Sequence, residues 1–427
     1  MNGAGIDPLH AWNIATAMVV AAGCALVGSL LVVRRMSLLG DAISHAVLPG
    51  IVLAVLAGSR PGGIGVMLGA IAAAIVTAWL SAGLAAGAGV AEDAGTGVAF
   101  TTLFALGVVL VSAFAARIDL DAACVLYGEL ELAAFDTVSL AGWEVPRGFI
   151  TGTVVLAGVA AAALATWKEQ VFAAFDPAAA RAAGVPVTLL SLGLLAATAV
   201  TTVAGFGVAG AVLVVALLVV PAAAAELLVD RLHRVVALAA VIGMAAAATG
   251  YVAAWQLDTS AAGMIAVALG GCYLLAVLFA PGDGLVARLV AAMLLRWRVV
   301  REDFLAALWR QAEGTVIAGP RGVLPTLAAV SLAAEGAVER TAGGWRLTAA
   351  GRGRAETIVR SHRLWEAWLG RNVELPLDHL HPPAEWVEHH IGRDVRARLA
   401  AEVGDWTGDP HGRVIPPESP AGQGGPG

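Results

Sequence analysis

Long uncharged apolar runs recur through the first two thirds of the chain and constrain its fold more than any other feature. They fall at about residues 11–33, 43–58, 64–86, 95–115, 149–166, 187–204, 207–228, 234–255 and 261–280. A helix needs about 20 apolar residues to cross a bilayer, and lipid offers backbone groups no partner outside the helix. The pattern predicts an all-α polytopic membrane protein with eight or nine transmembrane helices. Only 14% of the 427 residues are charged, against about 25% in a soluble domain. Gly and Ala dominate the runs, which lets helix backbones approach closely. Pro49 and Pro221 stand inside apolar runs and predict kinks or broken helices.

The N-terminus, MNGAGIDPLHAW, lacks a basic n-region, so the first run reads as a retained helix. Cys24, Cys124 and Cys272 are far apart and form no CxxC and no disulfide framework. Arg34 and Arg35, Lys168 and Arg181, Arg231 and Arg234, then Arg288, Arg296 and Arg298 follow alternate runs. Loops rich in Lys and Arg stay cytoplasmic, which places the N-terminus outside and the C-terminal part inside a plasma (inner) membrane. Arg60, Arg117 and Arg147 are exceptions. The last two border a long acidic loop, 116–148, whose middle, VLYGELELAAFDTV, is expected to be a short re-entrant or surface helix.

Within the membrane part, residues 40–50 read GDAISHAVLPG. Asp41 and His45 are four apart, on one face of a helix if the segment is helical. Ionisable residues in a membrane segment are costly and usually line a polar pathway. A carboxylate with an imidazole suits a divalent cation of the Mn, Fe or Zn kind. The plainer reading makes Asp41 a helix cap and His45 a satisfied interior histidine. Ser44 falls on a different face, and Glu92 and Asp93 read as acidic residues favouring a helix start. Residues 169–187, EQVFAAFDPAAARAAGVPV, predict a short cytoplasmic helix starting at Asp176-Pro177 and ending at Gly184.

Four stretches together resemble the zinc/manganese/iron permease family of ABC importers: RRMSLLGDAISHAVLPGIVLA (34–54), AEDAGTGVAFTTLFALGVVLVS (91–112), AAFDPAAARAAGVPV (173–187) and VAGAVLVVALLVVPAAAAELL (208–228). The resemblance implies a permease homodimer or heterodimer, a cytoplasmic ATPase pair docked on 173–187, and an external metal-binding protein. It places Asp41 and His45 on the metal path. The chain contains no G-x-x-x-x-G-K-[ST], and Lys168 is its only lysine. It therefore holds no Walker-type phosphate loop. It is a transport subunit rather than an enzyme, with ATP hydrolysis expected on a separate ATPase subunit.

From residue 296 the composition changes. Residues 296–417 carry sixteen Arg and fifteen Asp plus Glu, and six of the nine histidines lie there. The shift divides the chain into a transmembrane permease domain, 1–295, a soluble domain, 296–417, and a Pro/Gly-rich disordered tail, 418–427. Amphipathic helices at 302–313 and 324–335, a β-hairpin at 337–347 and a long helix from 348 to 369 make a winged-helix pattern. This predicts an α+β winged-helix followed by a helical metal-binding and dimerisation part. His362 and Glu366 are i,i+4. His381, Glu385, Glu388 and His389 fall at i, i+4, i+7 and i+8 on one helical stripe, with Pro382-Pro383 in its first turn. The stripe is either a metal site for Mn, Fe or Zn or a solvated, charge-paired face.

The segments LTAAGRGRAETIVRSHRLWEAWL (347–369), HLHPPAEWVEHHIGRDV (379–395) and DPHGRVIP (409–416) resemble the metal-sensing repressor family (DtxR- and MntR-like). The match implies ligands at His362, Glu366, His381, Glu385, Glu388 and His389, with Asp303 from the first helix. Glu385 stands where the iron type has cysteine, similar to the manganese type. Ala306 stands where that type has a further ligand, and it cannot bind metal. GTVIAGPRGVL (314–324) is too short and Gly/Pro-rich for the helix that normally precedes a recognition helix. The near-neutral charge argues against nucleic acid.

The expected function is the membrane permease subunit of an ABC importer for manganese, zinc or iron. Divalent metal is its substrate and a regulatory ligand of its cytoplasmic tail, which would inhibit transport when loaded. The alternative is a membrane-tethered, metal-responsive transcription regulator. A cobalamin- or siderophore-type importer is less suited, because a large chelate needs no inner-sphere Asp/His pair.

Overall fold

The computed structural model describes residues 7–36, 42, 45–59, 63–88, 92–114, 130–140, 142–282, 284–314, 322–373, 376, 387–404 and 407–418. The chain forms two compact units, Met1–Ala287 and Arg288–Gly427. The 295/296 boundary expected from composition falls inside a continuous helix, α11 (Leu285–Ala312).

The first unit is helical apart from one hairpin. Its helices are α1 (Pro8–Val33), α2 (Leu48–Leu56), α3 (Ile64–Ala88), α4 (Glu92–Phe114), α5 (Arg147–Ala165), α6 (Trp167–Phe175), α7 (Pro177–Ala182), α8 (Val187–Leu228), α9 (Leu232–Leu257) and α10 (Ala261–Phe279). Among the described residues, seven helices are long and apolar enough to cross a membrane. Two of the nine expected spans account for the difference. In the 43–58 run the long helix is replaced by the nine-residue α2, preceded among the described residues by helical His45 and Ala46 and a turn at Val47, and the runs at 187–204 and 207–228 join in the 42-residue α8. At 1.5 Å per residue, α8 is about twice as long as a ~30 Å core is thick. Its backbone breaks at Gly210, with φ 73° and ψ 162°, a conformation open essentially to glycine. The break is therefore not at Pro221, which stays inside the helix, and Pro49 occupies the first turn of α2, where a missing N–H costs nothing.

Small residues set the crossings. A Cβ on Gly28 of α1 would lie 1.7 Å from the Leu218 carbonyl oxygen of α8. Gly50 and Gly69 face each other where α2 meets α3, and Gly250 of α9 meets Ile265 of α10. Such contacts replace the hydrophobic drive that helices lack inside lipid. α1 lies deepest and is mostly buried, while α4 and α5 are nearly bare. Buried Ser29 and Thr198 bond within their own helices, to the Ala25 carbonyl (2.6 Å) and that of Leu194 (2.8 Å), while Ser81 of α3 and Thr96 of α4 bond across to each other (2.6 Å).

The expected helix in the acidic loop is corrected in part. Residues 115–129 lie outside the described residues. Beyond them come a 3-10 turn at Leu130–Leu132 and an antiparallel hairpin, β1 (Thr137–Leu140) with β2 (Trp143–Pro146). Val138 pairs with Val145, and Gly142 takes φ +90° at the turn. β-branched and aromatic residues around a glycine turn favour a hairpin over a helix.

The second unit contains α11, α12 (Val323–Ala334), β3 (Val338–Thr341), β4 (Gly344–Leu347), α13 (Ala349–Asn372) and α14 (Arg393–Val403). The helix–helix–hairpin–helix order is that expected of a winged helix. Phe304 and Leu305 of α11 pack with Ala329, Leu332, Val338 and Ala355. The Thr348 side chain caps α13 by accepting from Gly351 N–H (3.2 Å). A second core joins Leu364 and Ala367 of α13 to Ile391, Leu399 and Val403. Arg363 anchors the returning strand-like segment by donating to the Val414 carbonyl (2.6 Å) and to both oxygens of Glu313 (3.1 and 2.5 Å).

Candidate functional site

In the membrane unit, His45 sits just before α2 and is half-buried. Its ring lies beside two aromatic rings of α4, Phe100 (centroids 6.3 Å apart) and Phe104 (5.7 Å, edge-on). Asp41 and Ser44 lie outside the described residues, so the structure describes one half of the Asp41/His45 pair. Glu92 opens α4. The 173–187 segment folds as expected. Asp176 accepts from Ala178 N–H (3.1 Å) and Ala179 N–H (2.9 Å), Pro177 starts α7, and Gly184 takes φ +83° beyond its end. Phe175 stands 69% exposed just before that cap.

The second cluster lies wholly in the C-terminal unit. α11 supplies Glu302 and Asp303, α13 supplies His362 and Glu366, and the turn before α14 supplies Glu388 and His389. One ligand atom each from Asp303, Glu388 and His389 lie within 4.8 Å of one another. His389 Nε2 is 3.1 Å from Asp303 Oδ1 and 3.6 Å from Glu388 Oε1. The other Glu388 oxygen is 2.6 Å from His362 Nδ1, and His362 Nε2 is 3.1 Å from Glu366 Oε1. Glu388 thus joins the two histidines. It is buried, as are His362 and Glu366, which is unusual for carboxylates unless they are paired or hold a metal.

Electrostatics follow from that crowding. Burial alone lowers the His389 pKa, but hydrogen bonds to Asp303 and Glu302 and the charge of Glu388 outweigh it and raise the value to about 10. For His362, burial also works against protonation, and the carboxylates of Glu366 and Glu388 again win, so its pKa is raised. Without a metal, protonation of these rings is what balances the crowded carboxylates. A divalent cation would replace that positive charge, and the donor set of carboxylates and imidazoles without thiolate fits Mn, Fe or Zn.

Of the tail residues expected as ligands, Asp303, His362, Glu366, Glu388 and His389 come together. His381 and Glu385 lie outside the described residues, as do Pro382 and Pro383. Among the described residues the expected stripe is visible only at its end, where Val387 is helical and 388–390 form a turn. Sequence reasoning missed two contributors. Glu302 Oε2 lies 2.6 Å from His389 Nδ1, and Arg310 lies 3.6 Å from Glu388 Oε2. Glu302 carried a signal, because it stands one helical turn before Ala306, on the same face as the position where the manganese type has its further ligand.

The chain matches the ABC 3 transport family over residues 7–280. Residues 348–417 match the iron dependent repressor, metal binding and dimerisation domain. The manganese transport system membrane protein MntD of Bacillus subtilis is 42% identical over 281 residues, 65% of this chain and 95% of that protein. The zinc transport system membrane protein TroD of Treponema pallidum is 38% identical over 280 residues, 66% and 76% of the two chains. The solved structure of PsaBC from Streptococcus pneumoniae in complex with Fab is similar at a TM-score of 0.56 and 25% identity, covering 65% of this chain and 94% of that one.

Proposed function

This chain belongs to the ABC 3 transport family, and from that premise we propose that it is the membrane permease subunit of an importer for a divalent metal ion. The observation that carries the reading is the family match over 7–280 together with relatives named for manganese and zinc transport. Metal is cargo here. Asp41 and His45 line its path, and Phe100 and Phe104 flank the histidine on one side. A second permease subunit would complete the path, an external metal-binding protein would deliver the ion, and ATP hydrolysis would occur on a cytoplasmic ATPase. The capped α7 and the exposed Phe175 support 173–187 as the ATPase contact, since an apolar side chain beside a rigid helix start is a fit anchor.

The tail is the sensing element, cytoplasmic by the arginine distribution. Asp303, His362, Glu366, Glu388 and His389 would hold the regulatory metal, with His381 and Glu385 as further candidates. The bound ion would supply charge that ties α11, α13 and the turn before α14 together, inhibiting transport when cytosolic metal is high.

The transcription-regulator reading is weaker. α12 occupies the place of a recognition helix in the winged-helix order, and its free face carries Val323 (77% exposed), Leu324 (52%), Leu327 (52%) and Val330 (56%). Base and phosphate contacts need basic or polar side chains there.

The test is metal accumulation by cells that lack their own importer and express this chain with its ATPase. Uptake of manganese, zinc or iron above the level without the chain is expected, and absence of all three contradicts the proposal. Uptake by Glu388→Ala and His389→Ala variants tests the tail: it should persist when cytosolic metal is high, where the unaltered chain shuts down. Identical shut-down in both contradicts a sensing role.

A further inference from the structure

We propose that the first half of α11 is an in-plane membrane anchor, with its apolar face in the acyl-headgroup boundary of an anionic bilayer. α10, an apolar span, ends at Phe279, and α11 begins at Leu285. The chain therefore meets α11 as it leaves the membrane. Leu289, Val290, Met293 and Leu294 are 52%, 49%, 68% and 64% exposed. Their spacing of i, i+1, i+4 and i+5 places them on one arc of about 140°, with Ala291 beyond its edge, Arg298 one turn past Leu294 at its rim, and Leu295 on the far side.

Three observations select lipid as the occupant. The uncharged stretch 289–295 between Arg288 and Arg296 is seven residues, about 10 Å of helix, far short of a ~30 Å span. The apolar face is also broad, about 140° of the circumference, whereas a two-helix seam with a second copy uses a narrow a/d stripe. The charged residues are then arginines, with exposed Arg296 and Arg298 closing the stretch and half-buried Trp297 between them. Cations at the rim and an aromatic ring at headgroup depth are what an anionic surface attracts. In this position the same helix carries both the anchor and, one turn beyond Arg298, Glu302 and Asp303 of the metal cluster.

The test uses the full chain in proteoliposomes of phosphatidylethanolamine and phosphatidylglycerol. Spin labels are placed singly at Leu289→Cys, Met293→Cys, Ala291→Cys and Arg298→Cys, with Cys24, Cys124 and Cys272 replaced by Ala. Oxygen accessibility at 289 and 293 is expected to exceed that at 291 and 298 by about threefold, with the reverse order for a water-soluble relaxer. Equal water exposure at all four positions, or spin-spin broadening at 289 and 293 that reports a second copy, overturns the proposal. The unaltered chain gives an independent reading. Tryptic cleavage after Arg296 and Arg298 should slow about tenfold when phosphatidylglycerol is added to phosphatidylcholine nanodiscs. An unchanged rate overturns it as well.

Discussion

His389 is held by three carboxylates at once, those of Glu302, Asp303 and Glu388. Its pKa of about 10 in the fold, against 6.5 as the ordinary value, ties stability to pH. A histidine whose pKa rises on folding contributes stability that is fully present below its unfolded pKa and disappears as pH climbs through the folded one. The chelator-treated chain should therefore lose stability in its C-terminal unit steadily between about pH 6.5 and pH 10. His362 acts with the same sign. Thermal unfolding across that range checks this. The slope should flatten in His389→Gln, and an equal slope in the two proteins contradicts the assignment. Added manganese should reverse the trend, stabilising more at pH 8 than at pH 6, because ligation needs unprotonated rings. These residues were legible as ligand types at helical spacing. Glu302 was passed over, although it shares a helix face with Ala306, because a carboxylate beside Asp303 reads as surface charge until the fold brings His389 across from another segment.

Individual elements owe their positions to glycine, and two substitutions test this. Gly28→Ala pushes a methyl group against the Leu218 carbonyl, and overpacking of that kind costs about 1–3 kcal/mol. The thermal midpoint of the purified chain in detergent should fall. A control, Gly158→Ala, places its methyl in open space and should leave the midpoint within a degree or so. Gly210→Ala forces a Cβ onto φ 73°, with a cost of about 1–3 kcal/mol or a straightened α8. A rise in midpoint for either test variant contradicts the reading. Helix identity was legible from hydropathy. The break in α8 was not, since Pro221 is the louder sequence signal, but a proline tolerates a continuous helix when neighbours absorb the bend. Gly210 is one glycine among the 51 of the chain. The hairpin at 137–146 was misread for a related reason, because its strands are only four residues each and leave little alternation to detect.

At the scale of the whole molecule, a bundle of the ABC 3 transport family is joined to a segment that matches a metal binding and dimerisation domain. The composition change near residue 296 marked that join, and matches to two separate families cover 7–280 and 348–417. The winged helix between them was legible from two amphipathic helices, a glycine-centred hairpin and a third helix in that order. Its element order is retained, and α12 exposes Val323, Leu324, Leu327 and Val330. The proposed metal path rests on Asp41 and His45 of the membrane unit. The most direct measurement is manganese uptake by cells carrying the chain with its ATPase, compared with Asp41→Ala and His45→Ala at matched membrane levels. Uptake is expected to fall by at least about tenfold in each. Uptake equal to that of the unaltered chain in both variants would remove the metal path from the place assigned to it.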